Sequence, residues 1–361
     1  MADSAAPGVT SGLTQPPGST ANERARPSAG DRESTVVLSC AVDGSWALPL
    51  AVMLRSAETH LAPGRHLVAH VIDGGLSETD RVRVQRSLGP RTQIKWHAAD
   101  RSKLSRVPLW GHVSPSTYDR LTIGRILPSD VSRILWLDCD LLVLDDLSVL
   151  FDAEMKGAWA LAVPDPLVRV VSSRFGVKEY RALGLAPSTA YFNAGVMVVD
   201  LDAWRREQVE ERALDYLHRY AAQVFFHEQE ALNVVLARRW NPLAPTWNWS
   251  THPFHAPSER LRGAMPSILH FTGARKPWIR GGAGPWYARY VQHLDATDWR
   301  GERPRVGPSA RLLIRYEGSR LRRLLYPAEN LAMWVRWRMR ARSFDPAIES
   351  TAYGSERDRR P

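Results

Sequence analysis

Two aspartates one residue apart carry the clearest chemistry in this chain. They close the segment Ile134-Leu135-Trp136-Leu137-Asp138-Cys139-Asp140. An apolar run of that length reads as a buried strand, and in extended chain residues i and i+2 point to the same side. Asp138 and Asp140 would then present two carboxylates together at the carboxyl end of a strand, where open α/β sheets bind ligands. Paired carboxylates are hard donors of the kind that hold Mn²⁺ or Mg²⁺ while substrate phosphates complete the coordination. The spacing alone also fits an acidic turn, continued by Asp145-Asp146, that caps the next helix. An EF-hand is excluded, because neither the glycine nor the terminal glutamate of that loop is in place. His227-Glu228 opens the pattern of a zinc protease, but Ala231 fills the place of its second histidine.

The elements that must position these carboxylates follow from apolar periodicity. Val36–Val42 reads as a strand covered on both faces. Leu48–Ser56 reads as a helix, and His66–Ile72 as a strand ending in the turn Asp73-Gly74-Gly75. Ser77-Glu78-Thr79-Asp80 opens a further helix with capping residues. Gln93–Trp96 and Arg133–Leu137 are predicted strands, and Tyr118–Ile126 a predicted helix. Trp159–Val163 and Val196–Val199 follow as strands, Val209–Ala222 and Glu228–Arg238 as helices. Residues 240–300, crowded with Pro and Trp, read as loops around short elements. Strands alternating with helices predict an α/β fold with a mostly parallel sheet flanked by helices.

Composition narrows the function classes. The 361 residues carry a net charge of +10, with only five lysines among 48 basic residues. The longest apolar runs, such as Leu48–Leu54, fall far short of the roughly 20 residues that cross a bilayer. Residues 1–33, rich in Ala, Ser, Pro and Gly, lack the apolar core of a secretory signal and predict a disordered segment. Cys40 and Cys139 give neither a disulfide framework nor a CxxC pair, so a reducing, cytoplasmic setting is expected. Cys139 should point into the core, with no catalytic role.

Four further segments join the acidic pair. They are Ala41-Val42-Asp43-Gly44-Ser45-Trp46, Tyr191-Phe192-Asn193-Ala194-Gly195-Val196-Met197, Glu228-Gln229-Glu230, and Ile268-Leu269-His270-Phe271-Thr272-Gly273 followed by Lys276-Pro277-Trp278. Taken in this order over residues 35–300, they resemble glycosyltransferase family 8. That family contains retaining enzymes of GT-A (Rossmann-like) fold, among them bacterial lipopolysaccharide galactosyl- and glucosyltransferases. His70–Ser77 and Ser116–Leu121 also look like their counterparts there.

The resemblance implies a role for each matching residue. Asp138, Asp140 and His270 would hold Mn²⁺ (or Mg²⁺) against the diphosphate of a UDP-hexose donor. Lys276 would contact the diphosphate as a compact point charge, and Gly273 would let the backbone approach it closely. Arg120 would contact the donor, the alternative being a surface ion pair with the neighbours of its helix. Asp43 and Trp46 match positions that hold the uracil, by accepting from its N3–H and stacking on its ring. The family usually shows two adjacent acids and a tyrosine there, where this chain has Asp43-Gly44 and Trp46. Asn193, the Gly195 backbone and Asp165 would line the sugar and acceptor side. Glu228 stands where the family usually has Asp, one methylene further out. Gln229 would face the sugar; a neutral amide is a weak nucleophile. Retention would then proceed by front-face attack through an ion-pair-like state. Gln229, Asp140 and Lys276 are the catalytic candidates, galactose or glucose the sugar, and a saccharide or lipid-linked glycan the acceptor.

Three regions are expected: 1–33, a catalytic domain over 34–300, and a basic amphipathic region over 301–361. From Arg303 to Arg342 eleven arginines alternate with Leu, Tyr and Trp, against only Glu317 and Glu329. That pattern predicts a helical segment lying on an anionic membrane, which would place the protein peripherally on the inner face of the plasma membrane. The alternative is a terminal helix packed on the domain. Nucleic acid is not expected, since no binding motif appears. Two other functions fit parts of the pattern. One is a catalytically silent GT-A-like protein that binds membranes or polyanions. The other is a nucleotidyltransferase, whose Gly-rich N-terminal phosphate loop this chain lacks.

Overall fold

The computed structural model describes residues 34–104, 107–109, 114–251, 263–273, 276–280, 285–304 and scattered positions from 328 to 339. The readings of 1–33, and most of that of 301–361, lie outside the described residues.

Among the described residues, seven strands form the main sheet in the order β3-β2-β1-β4-β7-β6-β8. They are β1 (Thr35–Val42), β2 (His66–Asp73), β3 (Thr92–Ala98), β4 (Arg133–Leu137), β6 (Ala160–Pro164), β7 (Phe192–Asp200) and β8 (Trp240–Pro242). β1 pairs in parallel with β2 and β4, whereas β7 runs antiparallel to both β4 and β6. The sheet is therefore mostly parallel, as the alternating pattern predicts. Val36, Leu38, Cys40 and Val42 sink one face of β1 into a core completed by Leu50, Met53 and Leu54 of α1 (Ala47–His60). The opposite face is covered by α5 (Leu201–Arg206), α6 (Val209–Arg219) and α7 (His227–Val235), with Trp136 and Trp204 wholly inside. Burying each such large side chain stabilises the fold by roughly 1.5–3 kcal/mol. The Ser77 hydroxyl caps α2 (Glu78–Arg86) by accepting from the Asp80 N–H at 3.0 Å.

A second, three-stranded sheet decides where the site forms. β5 (Leu141–Val143) directly follows the acidic pair, and β10 (Ile268–His270) lies antiparallel to it with His270 opposite Leu141. β9 (Trp249–Ser250) pairs with β10 on its other side. This pairing carries an imidazole from far along the chain to the carboxylates.

Several elements differ from their sequence reading. Tyr118–Ile126 is a 3₁₀ helix over Pro115–Thr122 followed by one α turn, α3 (Ile123–Ile126). Its residues 118–123 are all buried, so no solvent face sets a 3.6-residue period. The strand predicted from Val196 begins at Phe192. A register shift between Ala162 and Val163 of β6 bulges β7 around Ala194-Gly195-Val196, a run that does not alternate. The helices predicted to Ala222 and Arg238 end at Arg219 and Val235. The short helix α4 spans Leu147–Phe151, and residues 240–300 contain, besides short elements such as α8 (Pro277–Arg280), a ten-residue helix, α9 (Pro285–Leu294). The aromatic face of α9 is held by Tyr290, which meets Phe271 edge-on and stacks on Trp278. Among the described residues no helix is long and apolar enough to cross a membrane.

Candidate active site

The acidic pair leaves β4 at the centre of the sheet. The Asp138 N–H donates to Gly195 O at 2.9 Å, and the Phe271 N–H donates to Asp140 O at 3.0 Å, so the neighbouring strands grip the loop from both sides. Cys139, between them, turns away; its thiol is buried and donates to Ala41 O at 3.1 Å.

Each carboxylate already has cationic company. Asp138 accepts from Trp136 Nε1 at 2.9 Å and from Arg120 Nη2 at 2.9 and 3.1 Å. Arg120 is itself buried. Its Nη1 donates to Ala194 O at 2.7 Å and its Nε lies 3.2 Å from Glu228 Oε1. The 3₁₀ segment thus sets Arg120 as a buried bracket between Asp138 and Glu228, and not as the surface ion pair of the alternative reading. Burial would lower the Arg120 pKa, but the Asp138 and Glu228 carboxylates outweigh that and raise it. Glu228 is pushed up to about 7 by burial, with Arg120 resisting the shift. Burial would also raise Asp140, but the Lys276 ammonium beside it holds it well below the usual carboxylate range. Lys276 hydrogen-bonds Asp140 directly and donates to Phe271 O at 2.7 Å.

The donor set fits a divalent cation. One ligand atom from each of Asp138, Asp140 and His270 lies within 4.8 Å of the others. Two carboxylates and an imidazole are the oxygen-rich mixture that suits Mn²⁺. His270 Nε2 sits 3.3 Å from Asp140 Oδ1. Beside this cluster, Lys276 Nζ lies 5.6 Å from the centre of the Trp46 ring, and Trp46 meets Trp278 edge-on at 5.4 Å. Asp43, three residues before Trp46, accepts from the Ser45 N–H at 3.2 Å and the Ser45 hydroxyl at 3.0 Å. Gly273 adopts a φ of +78°, a conformation that only glycine takes readily.

On the β7 side the groups are mostly amides around one carboxylate. Asp165 Oδ1 accepts the Leu167 and Val168 N–H groups, both at 2.8 Å. Its Oδ2 accepts from Asn193 Nδ2 at 3.1 Å and Gln229 Nε2 at 3.3 Å. Gln229 Oε1 in turn accepts the Ala194 N–H at 3.1 Å. The chain enters α7 through a left-handed His227 (φ +48°), a strained non-glycine conformation immediately before Glu228 and Gln229. Asn233, one turn after Gln229, accepts from the Phe192 N–H at 2.7 Å and donates to Phe192 O at 2.9 Å, tying α7 to β7.

Sequence reasoning missed three residues that shape the site: Trp136, Asn233 and Asn248. Trp136, which the sequence places only within a buried strand, sends its indole N–H to Asp138. A buried amide one helical turn from Gln229 was the available signal for Asn233. Nothing in the sequence singles out Asn248, whose side chain lies against His270.

Residues 37–281 match the sequence model of the family described as "Glycosyl transferase family 8". Among curated proteins, the chain is 27% identical over 277 residues to general stress protein A of Bacillus subtilis (strain 168), covering 73% of this chain and 94% of that protein. It is 26% identical over 260 residues to the lipopolysaccharide 1,2-glucosyltransferase of Escherichia coli (strain K12), covering 69% of this chain and 74% of that one. Among solved structures, the galactosyltransferase LgtC in complex with donor and acceptor sugar analogues superposes with a TM-score of 0.63 at 24% identity, over 74% of this chain and 100% of the other. At that identity the likeness speaks for the fold, which is of GT-A type.

Proposed function

The chain belongs to glycosyl transferase family 8, and from that premise we propose that this glycosyltransferase moves galactose or glucose from a UDP-sugar to a saccharide or lipid-linked acceptor, with retention of anomeric configuration. The observation that carries the reading is the sharing of one small volume by Asp138, Asp140 and His270, with Lys276 already on Asp140.

In this reading Asp138, Asp140 and His270 would hold a divalent cation, Mn²⁺ or Mg²⁺, which when bound offsets the diphosphate charge as a Lewis acid. Lys276 moves from Asp140 to donate a charge-assisted hydrogen bond to the departing diphosphate. Asp43 and Trp46 receive the uracil, and the Gly273 backbone lies along the phosphates. Arg120, held by Asp138 and Glu228, acts on the donor through the orientation it gives Asp138. Asp165, Asn193 and Glu228 take sugar and acceptor hydroxyls. The bond between the anomeric carbon and the diphosphate oxygen breaks, and the acceptor oxygen bonds to that carbon on the same face. The acceptor proton passes to the leaving oxygen. Gln229, fixed by Ala194 and Asp165, steadies the cationic sugar with its amide dipole.

A lipid-linked acceptor is supported by the named activity of the Escherichia coli relative and by the arginine-rich 303–342 segment. Leu331, Val335 and Met339, four residues apart, are exposed, as a helix resting on a membrane surface would present them. In the proposed organisation 34–300 is the catalytic domain, 301–361 the membrane-facing region, and the setting is the inner face of the plasma membrane.

The test is a donor screen with the purified protein, Mn²⁺ and simple glycoside acceptors. Transfer from UDP-galactose or UDP-glucose giving an α-linked product supports the proposal. A β-linked product, or a sugar adduct trapped on Glu228 or Glu230, overturns the mechanism. No transfer from any UDP-sugar, together with tight binding to anionic vesicles, favours the catalytically silent alternative.

A further inference from the structure

We infer that Asn248 is a positioning residue: it passes a hydrogen-bond polarity set by the Gly195 backbone N–H to His270, fixing the imidazole with its proton on Nδ1 and leaving Nε2 to face the carboxylates. The inference rests on the cation-site reading for its purpose, though not for its geometry.

Two amides, Asn193 and Asn248, have orientations that cannot be reversed. An amide's oxygen and nitrogen have nearly the same shape, so their placement is decided by partners. Asn193 has a fixed partner at each end. Its Oδ1 accepts the Gly195 N–H at 3.0 Å, and its Nδ2 donates to the Asp165 carboxylate at 3.1 Å. Reversal would set N–H against N–H at one end and oxygen against carboxylate at the other. The Asn193 oxygen therefore faces Asn248, whose nitrogen must point to it, and Asn248 Nδ2 lies 2.9 Å away. The Asn248 oxygen is then left for His270 Nδ1, at 2.8 Å. Two acceptors cannot share that contact, so Nδ1 carries the hydrogen.

Burial makes the assignment matter. Asn248 is 7% exposed and His270 5% exposed, so water cannot substitute for a lost partner. The opposite tautomer would place a hydrogen on Nε2, the atom 3.3 Å from Asp140 Oδ1 that a cation needs. A partner on the non-ligating nitrogen is the usual means of setting the tautomer of a metal-binding histidine. Here that partner is an amide whose direction comes from the main chain of the bulge in β7. The same bulge leaves no room for error: a Cβ at Gly195 would stand 2.9 Å from His270 Nδ1 and 3.1 Å from Asn193 Oδ1. The chain Gly195–Asn193–Asn248–His270 also joins the cation side of the site to Asp165 and Gln229 on the sugar side.

The test uses the full chain, metal-free and labelled with ¹⁵N-histidine, at a pH where the imidazole is neutral. His270 is assigned by the signal lost in His270→Gln. Long-range ¹H–¹⁵N correlations should show Nδ1 protonated in the wild type and Nε2 protonated in Asn248→Leu. A wild type with Nε2 protonated overturns the proposal. Titration of Mn²⁺ followed by electron paramagnetic resonance gives the second readout. Asn248→Leu, which offers no acceptor to Nδ1, should weaken Mn²⁺ binding by about 10–100-fold. A folded leucine variant that binds Mn²⁺ as tightly as the wild type, or that keeps Nδ1 protonated, overturns it. A wild type that binds no Mn²⁺ but shows Nδ1 protonated would sink the cation-site reading and leave the tautomer assignment standing.

Discussion

The two sides of the site are made of different materials. On the β4 side, Asp138, Asp140, Arg120 and Lys276 carry formal charges, and each is answered by another of the group. On the β7 side, Asn193, Asn248 and Gln229 are neutral dipoles arranged around Asp165. A charge can exchange one partner for another at modest cost, because attraction between ions depends little on direction. An amide cannot, because reversing it turns each hydrogen bond into a clash. The charged side is thus suited to an incoming cation and diphosphate that displace Lys276 from Asp140. The dipolar side is suited to holding a sugar in one orientation. Family membership assigns that sugar to glycosyl transfer and not to nucleotidyl transfer.

Breaking the charged side should have the largest effect. Asp140→Asn takes away one of the three proposed cation ligands and the partner of Lys276, and kcat/KM should fall by at least about 10³-fold. Lys276→Ala comes next, with a loss of about 10²–10³-fold, as for removal of one donor to a developing anion. The alanine variant also leaves the Asp140 charge without its ammonium. Metal-free, its unfolding free energy should drop by about 1–3 kcal/mol, and Mn²⁺ should restore more stability to it than to the wild type. Denaturant titrations with and without Mn²⁺ check both parts.

Glu230 offers a subtler comparison, as a buried carboxyl beside the dipolar side. Burial pushes it up to about 7, although Tyr216 and the Phe225 and Phe226 amides donate to it. A carboxyl raised in the fold binds its proton more tightly folded than unfolded. Stability therefore falls as pH rises from about 4.5 to about 7 and is flat above that. Glu228 adds a second fall over the same window. Glu230→Gln should roughly halve the slope, with a gain of up to about 3 kcal/mol above pH 7, read from urea unfolding at pH 5 and pH 8. The smallest effect belongs to Cys139→Ala. Its thiol faces Ala41 and not the site, so kcat/KM should stay within about threefold.

The legibility of these parts in the sequence follows from how local they are. Asp138 and Asp140 sit on one strand, so their juxtaposition is visible in seven residues. The sheet of β1, β2 and β4 is equally plain, because its strands are continuous apolar runs. His270 and Lys276 reach Asp140 only through the pairing of β5 with β10, which no local pattern reports, and they entered through the family's motif order. Arg120 shows the limit of that route. Type and position gave two readings, and only the buried 3₁₀ segment shows it bracketed by Asp138 and Glu228. Asn248 was invisible, since its meaning lies in which way an amide points. α9 was lost because Trp, Tyr and Pro masked its periodicity.

The most direct test is calorimetric titration of UDP into the full chain with Mn²⁺ and with a chelator, on the wild type and on Asp140→Asn. The account predicts that Mn²⁺ tightens UDP binding by at least about tenfold in the wild type and by much less in the variant. Equal UDP affinity with and without the cation in the wild type would contradict it.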